Sequence, residues 1–134
     1  MKRPGAALAA VVRQRAAGRC EYCRFPVEHA VLPFEIEHII PLSHGGLTTA
    51  RNLAFACFYC NRYKGPNVAG FAEPGGALTR LFDPRMDGWQ DHFAWDGALV
   101  LPRTDIGGAT IGVLRLNQPN AVAVRQFLMD EGLW

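Results

Sequence analysis

The amino-acid sequence predicts an α+β protein whose centre is a β-β-α unit stapled by a four-cysteine zinc site. Three observations predict it: two CxxC pairs, a segment between them that alternates apolar and polar residues, and a helical segment after the second pair. An N-terminal helix is expected before this unit and a small α/β extension after it. The four cysteines are Cys20, Cys23, Cys57 and Cys60.

Length and composition are those of one compact domain. The chain has 134 residues, of which 49% are hydrophobic and 19% charged, and this is ordinary for a globular protein. We therefore expect a single domain over residues 1–134, with the core motif at about 19–66 and the extension at about 67–134. No stretch approaches the roughly 18 apolar residues that a membrane-spanning helix needs.

The N-terminal segment has the spacing of an amphipathic helix. Leu8, Val11, Val12 and Ala16 recur at helical intervals, and arginines fall between them. These arginines interrupt the apolar run that a signal peptide would require. The segment is thus expected to be a helix that leads into the first cysteine pair, in a cytoplasmic protein.

The cysteine spacing predicts a closed site for structural Zn²⁺. Each pair has the two-residue gap with which a tight turn directs two sulfurs at one ion, and the pairs together use every cysteine of the chain. Two local disulfides, or one redox-active pair, are the alternatives. Local disulfides are unusual in cytosolic proteins, and a redox motif needs only one pair.

The segment between the pairs predicts two strands, and a helix follows the second pair. Residues 34–39 alternate apolar and polar side chains up to Pro41, and residues 52–56 can form a second strand that runs back. Residues 58–64 form a helical segment that Gly65 and Pro66 would end. This order would bring Glu37, His38 and Asn61 around one point.

Charge is distributed unevenly along the chain. Residues 1–65 carry nine Lys/Arg and four Asp/Glu, a net charge of +5, whereas residues 66–134 carry five and eight, a net charge of −3. A zinc ion with four thiolates lowers the first value to about +3. A positive field favours a polyanionic partner such as nucleic acid, although an ordinary solvated surface can show the same asymmetry.

The residues around the two cysteine pairs form an ordered set of motifs. They are Cys20-Glu21-Tyr22-Cys23, Glu37-His38-Ile39-Ile40-Pro41-Leu42-Ser43-His44-Gly45-Gly46, Asn52-Leu53 and Cys57-Phe58-Tyr59-Cys60-Asn61-Arg62-Tyr63-Lys64-Gly65. In order and spacing these segments resemble the cysteine-containing branch of the HNH endonuclease family, whose core is the ββα-metal fold. The resemblance covers about residues 19–66.

The resemblance implies roles for four residues. His38 would be the general base, Asn52 would fix the loop that orients it, and Glu37 and Asn61 would bind a catalytic Mg²⁺ or Mn²⁺. The family most often has Asp at the position of Glu37 and often has His at that of Asn61. Both substitutions keep oxygen ligands available, but the longer Glu side chain puts metal preference and activity in doubt.

The expected function is metal-dependent hydrolysis of DNA phosphodiester bonds. The alternative is a zinc-stapled nucleic-acid-binding module without catalysis, and a redox or metal-storage protein is a distant third. One active site cuts one strand, so double-strand cleavage would need a homodimer or two successive nicks. Candidate phosphate contacts, each with a solvated surface charge as its alternative, are Arg62, Lys64, His44 and Arg51.

The C-terminal half gives weaker signals. Residues 70–76 are expected to form a loop, residues 98–101 a strand, and residues 110–116 either a helix or a strand. The aromatic residues between positions 81 and 95 favour a packing cover over base stacking. A terminal helix is expected to pack through one face, made of Ala121, Val124, Phe127 and Leu128.

Overall fold

The computed structural model describes residues 3–134, and this part of the chain has a mixed α/β structure. It divides into two compact units. Unit 1 runs to Val68 and also takes in Asp83–Met86, and unit 2 consists of Ala69–Phe82 and Asp87–Trp134. The single-domain assignment stays a prediction. None of the helices in the described residues is long and apolar enough to cross a membrane.

Unit 1 contains two helices and one two-stranded sheet. Its elements are α1 (Ala6–Arg15), β1 (Glu35–His38), β2 (Leu53–Ala56) and α2 (Phe58–Lys64). Strands β1 and β2 are antiparallel, and His38 is opposite Leu53. Short 3-10 turns at Val27–His29, Leu42–His44 and Ala50–Asn52 connect these elements. Both predicted strands and the predicted helix are present, with the strands one or two residues shorter than expected.

Helix α1 packs on the hairpin of unit 1. Val12 and Ala16 form a buried cluster with Leu53 and Phe55, and Leu8 adds to its edge. Positions 8, 12 and 16 are four residues apart, so they follow one stripe of the helix. Val11, which we expected on the same face, is instead 48% exposed.

The two faces of β1 are covered by different helices. Ile36 packs against the α1 cluster, whereas the side chain of Glu37 on the opposite face is buried and contacts Lys64 of α2. Cys57 caps the N-terminus of helix α2, and its sulfur accepts a hydrogen bond from the Cys60 amide. The first turn of α2 and the second cysteine pair are thus one structure.

Unit 2 contains two hairpins and three helices. The strands are β3 (Ala69–Phe71), β4 (Leu78–Arg80), β5 (Phe93–Asp96) and β6 (Leu99–Pro102), paired β3 with β4 and β5 with β6. The helices are α3 (Trp89–His92), α4 (Asp105–Leu114) and α5 (Pro119–Asp130). Residues 69–71 therefore begin a hairpin where a loop was expected, and helix α4 resolves the ambiguity over residues 110–116.

Aromatic packing dominates unit 2. The Trp89 ring centroid lies 5.0 Å from that of Phe93 and 5.3 Å from that of Trp95, and Phe82 also contacts Phe93. The expected buried face of the terminal helix was wrong in part, because Val124 and Phe127 are exposed. Helix α5 packs through Leu128 and, unexpectedly, through Arg125.

Candidate functional site

The four cysteines form one buried cluster. Their sulfur atoms all lie within 4.8 Å of one another, and the Sγ atoms of Cys23 and Cys57 are 3.7 Å apart. A tetrahedral zinc ion with sulfurs at about 2.3 Å places neighbouring sulfurs about 3.8 Å apart. The cluster thus fits a structural Zn²⁺ held by four thiolates, as the sequence predicts. Within residues 3–134 no other cluster of three or more Cys, His, Asp or Glu side chains could hold an ion.

Backbone amides support the sulfurs in each pair. The Cys23 amide lies 3.5 Å from Cys20 Sγ, and the Cys60 amide lies 3.4 Å from Cys57 Sγ. Hydrogen bonds of this kind favour the thiolate over the thiol because they stabilise its negative charge. The local fold therefore prepares both pairs as metal ligands.

Glu21, inside the first CxxC pair, attaches that pair to the hairpin. Its amide donates to the Phe55 carbonyl at 2.9 Å, and its Oε2 accepts from the Phe55 amide at 2.8 Å. Its other carboxylate oxygen pairs with Arg85. Burial raises the pKa of Glu21, while the bond from Phe55 opposes that shift. The first cysteine pair is consequently fixed against β2.

His38 lies at the end of β1, where the hairpin opens into the loop that follows. Its Nε2 is 2.9 Å from the Thr48 hydroxyl oxygen, and the side chain is partly exposed. Partial burial, and then the positive charge of Lys64, lower the pKa of His38 below its usual value of 6.5. The imidazole is therefore neutral at neutral pH and able to accept a proton.

Asn52 holds the loop after β1. Its carboxamide oxygen accepts from the Ile40 amide at 2.8 Å, and its nitrogen donates to the carbonyls of Ile40 and Leu47, each at 2.9 Å. Gly46 passes so close that an added Cβ would lie 1.7 Å from the Ile40 carbonyl oxygen. Only glycine fits there. Asn52 thus holds both ends of the segment from Ile40 to Leu47, directly before Thr48.

Glu37 has a partner at each carboxylate oxygen. The Lys64 ammonium donates to Oε2 at 3.0 Å, and the Tyr22 hydroxyl donates to Oε1. Burial raises the pKa of Glu37, and the charge of Lys64 and the bond from Tyr22 oppose that shift. The predicted role of Glu37 as a cation ligand stays a prediction, and in this structure each of its oxygens accepts one hydrogen bond.

Lys64 is 1% exposed, whereas the sequence predicts a surface contact with phosphate. Its ammonium donates to Glu37 and to the carbonyl oxygens of His38, at 3.3 Å, and Ile39, at 2.9 Å. Three N–H groups thus meet three acceptors, which is the full donor capacity of lysine. Lys64 is an internal cation and is not presented to solvent.

The remaining predicted residues lie nearer the surface. Asn61 is partly exposed and is one helical turn before Lys64, so it lies on the same side of α2. Arg62, Arg51 and His44 are exposed, and the Arg62 guanidinium carbon is 6.0 Å from the Phe58 ring centroid. Of the four predicted phosphate contacts, Lys64 alone is buried.

Sequence reasoning missed two contributors to this site. Thr48 bonds the imidazole, but a threonine in a polar loop carries no pattern that singles it out. Tyr22 lies between Cys20 and Cys23, where the cysteine spacing indicates a zinc-binding turn. Nothing in that pattern indicates the hydrogen bond from Tyr22 to Glu37. The structure thus brings together His38, Thr48, Glu37 and Lys64, with Asn61 one turn away on α2.

Comparison with known families adds one finding. Residues 20–67 match the family described as HNH endonuclease, in agreement with the resemblance read from the motifs. No curated protein and no solved structure matched the chain.

Proposed function

We propose that this protein, whose residues 20–67 match the HNH endonuclease family, hydrolyses phosphodiester bonds in DNA with His38 as the general base. The observation that carries the proposal is the state of His38 within that segment. It is a partly exposed imidazole at a strand end, bonded to the Thr48 hydroxyl, and partial burial lowers its pKa. A base of this kind is suited to activating water at neutral pH.

The hydrogen bond to Thr48 supports an assignment of the two ring nitrogens. A neutral imidazole carries one N–H and one lone pair. When Nε2–H donates to Thr48, the lone pair resides on Nδ1, which then takes the proton from water. The water oxygen bonds to phosphorus, the bond from phosphorus to the 3′-oxygen breaks, and that oxygen takes a proton from solvent. General-base catalysis of this kind contributes about 10²–10⁴ in rate.

The two metals implied by the family fit these residues differently. The four thiolates fit structural zinc, which would hold α2 against the hairpin that carries His38. Of the pair predicted to bind Mg²⁺ or Mn²⁺, Asn61 is partly exposed, whereas each Glu37 oxygen accepts a hydrogen bond, from Lys64 or from Tyr22. The proton transfer itself involves only His38, Thr48 and water.

Exposed basic side chains on unit 1 support DNA as the substrate. Arg51 and Arg62 are exposed beside the hairpin and on α2, and the first 65 residues carry a net charge of +5 before zinc is counted. Contacts of this kind neutralise phosphates and weaken as salt is raised. Binding is therefore expected to be salt-dependent and to show weak preference for sequence.

Nicking of supercoiled plasmid by His38→Ala tests the proposal. We expect a loss of at least about a hundredfold in rate, because the proton acceptor is gone, with zinc content and DNA affinity retained. The assay is run with Mg²⁺, Mn²⁺ or EDTA. His29→Ala is the matched control, since His29 is a partly buried histidine beside Glu28 in the same unit.

Cleavage by His38→Ala at the wild-type rate would refute the role of His38. Thr48→Val and Thr48→Ser refine the test, because only serine keeps the hydroxyl that bonds Nε2. We expect valine to lower the rate by about tenfold, within the general range for misplaced catalytic groups, and serine to preserve most of it.

A second candidate is a nucleic-acid-binding module without catalysis. The observation that favours it is the buried ion pair between Glu37 and Lys64, which occupies the carboxylate predicted to bind the catalytic cation. It predicts that the zinc-loaded wild type retains DNA but cleaves none in any metal. The same plasmid assay, read together with a DNA retention assay, separates the two candidates.

A further inference from the structure

The Lys64–Glu37 ion pair is buried in unit 1, and both of its members make further hydrogen bonds. Lys64 Nζ reaches a carboxylate oxygen of residue 37 and the main-chain oxygens of residues 38 and 39, at 3.0, 3.3 and 2.9 Å. The second oxygen of Glu37 accepts from Tyr22. Lys64 is 1% exposed and Glu37 is 7% exposed. Water therefore has almost no access to either charge.

Burial of an ion pair is expensive in free energy, and apolar residues of similar size are often as stable or more so. Stability alone is thus a weak reason for a lysine at this position. The groups that accept hydrogen bonds from its ammonium suggest a different reason. They belong to three consecutive residues at the end of β1, and the middle residue is His38.

Because Lys64 Nζ bonds all three acceptors, it fixes the backbone from which the imidazole projects. The peptide oxygens of His38 and Ile39 both turn toward α2, so the torsion angles between them have little freedom. On the other side of the ring, Thr48 bonds Nε2. The histidine is thereby fixed at its backbone by Lys64 and at its ring by Thr48.

We propose, on the premise of the proposed function, that Lys64 is a positioning residue for His38 and that Glu37 is its counter-ion and not a ligand of a divalent cation. Tyr22 extends this network to the zinc site, since it lies between Cys20 and Cys23. A continuous chain of contacts then joins the zinc-binding turn to the backbone of the general base. The acid that precedes the histidine takes part in that chain.

Glu37→Gln separates the two roles of Glu37. A cation ligand that loses its charge weakens Mn²⁺ binding by tenfold or more. A counter-ion that becomes an amide leaves Mn²⁺ affinity within about twofold of the wild type. The measurement is the Mn²⁺ dissociation constant of the zinc-loaded full chain by electron paramagnetic resonance. Wild-type protein that binds no Mn²⁺ supports the counter-ion role, and a tenfold loss in Glu37→Gln overturns it.

Lys64→Met tests the positioning role. We expect a kcat for DNA nicking about tenfold to a hundredfold below wild type, with KM within about twofold. The imidazole ¹⁵N resonances of His38 should shift, because the backbone that carries the ring is released. Arg13→Met, an exposed cation on α1, is the control and should change neither quantity. Wild-type kcat together with unshifted His38 resonances in Lys64→Met would overturn the role.

The neutral pair Glu37→Gln/Lys64→Met keeps the test decisive where Lys64→Met alone does not fold. It leaves no unpaired buried charge, so it should be more stable than Lys64→Met, as a coupled pair in a double-mutant cycle requires. His38 resonances at wild-type positions in this double variant would refute positioning by Lys64. The His38 resonances and the Mn²⁺ affinity are measured without DNA cleavage. If the wild type cleaves no DNA, the proposed function is wrong, and these two measurements still test the role of Lys64.

Discussion

The two units of this protein use a buried cation in different ways. In unit 1, Lys64 joins helix α2 to the last residues of β1, beside a histidine. In unit 2, Arg125 of α5 donates to the Ala98 carbonyl at 2.9 Å and to the Asn117 carboxamide at 3.1 Å, and its guanidinium lies 5.5 Å from the Trp95 ring centroid. One cation fixes a candidate site, and the other closes the turn of a hairpin.

The interiors of the two units that hold these cations also differ. Unit 1 has a small apolar cluster and four cysteines that fit zinc, whereas the interior of unit 2 is rich in aromatic rings. All three tryptophans, Trp89, Trp95 and Trp134, belong to unit 2, and all three tyrosines, Tyr22, Tyr59 and Tyr63, to unit 1. Each unit therefore has its own spectroscopic reporter, and the comparison can be tested directly.

Removal of zinc should have the largest effect. Structural zinc contributes about 10–16 kcal/mol of apparent binding free energy, and that energy is coupled to folding. We expect chelation, or Cys57→Ser, to abolish the near-ultraviolet circular dichroism of the tyrosines while the tryptophan emission stays as in the folded protein. Added zinc should restore the tyrosine signal after chelation.

Simultaneous loss of the tyrosine and tryptophan signals would contradict this expectation. It would mean that the units unfold as one cooperative body, which is the single-domain behaviour that the sequence predicts. Separate transitions would mean that the metal stabilises unit 1 alone.

Truncation of matched core leucines should have the next largest effect. Leu53 and Leu114 are 0% and 1% exposed, in unit 1 and unit 2 respectively. Replacement by alanine costs about 2–5 kcal/mol at such sites, because it removes buried surface and leaves a cavity. With zinc bound, each variant should lose amide hydrogen-exchange protection chiefly in its own unit. Equal loss in both units for either variant would contradict this.

Arg125→Met should destabilise unit 2 by about 1–3 kcal/mol, because it removes the donor to the carbonyl of the buried residue Ala98. Chemical denaturation followed by tryptophan emission measures the change. Arg103→Met, at an exposed position of the same unit, should stay within about 0.5 kcal/mol of wild type. A stability gain in Arg125→Met would show that the desolvation free energy of the guanidinium exceeds the stabilisation from its contacts.

Arg24→Gly should have the smallest effect, and of opposite sign. Arg24 has a φ of +68°, a left-handed conformation that side chains with a Cβ disfavour. Glycine there should stabilise unit 1 by about 0.5–1 kcal/mol, because the relief of backbone strain exceeds the added freedom of the unfolded chain. Arg115→Gly, at φ +52° after α4, makes the same change in unit 2. Destabilisation by Arg24→Gly would mean that its side chain contributes more than the strain costs.

Local signals in unit 1 were strong enough to place its elements. The period of residues 34–39 gave β1, and the cysteine spacing with Gly65 gave the limits of α2. These signals depend on neighbours in the sequence, so they survive without knowledge of the tertiary structure. In unit 2 the glycines and the proline of residues 70–76 indicated a loop, and β3, which has three residues, was missed.

Burial of charge was the part that sequence could not give. Lys64 and Arg125 both look like solvated helix residues, because each has a hydrogen-bond partner 25 to 27 residues away in the chain, which no local pattern reveals. The family motif named Glu37, His38, Asn52 and Asn61, yet the contacts of Thr48 and Tyr22 depend on how the loop and the zinc-binding turn fold. A motif fixes which residues meet, and tertiary packing decides which atoms bond.

The bonds of Asn52 have a consequence for engineering. Because one carboxamide bonds both Ile40 and Leu47, both ends of the segment between them are fixed. The residues within that segment can therefore be replaced. Leu42, Ser43 and His44 are all exposed within it. New side chains grafted there should alter what the loop touches while leaving its frame intact, provided that positions 45, where φ is +86°, and 46 stay glycine.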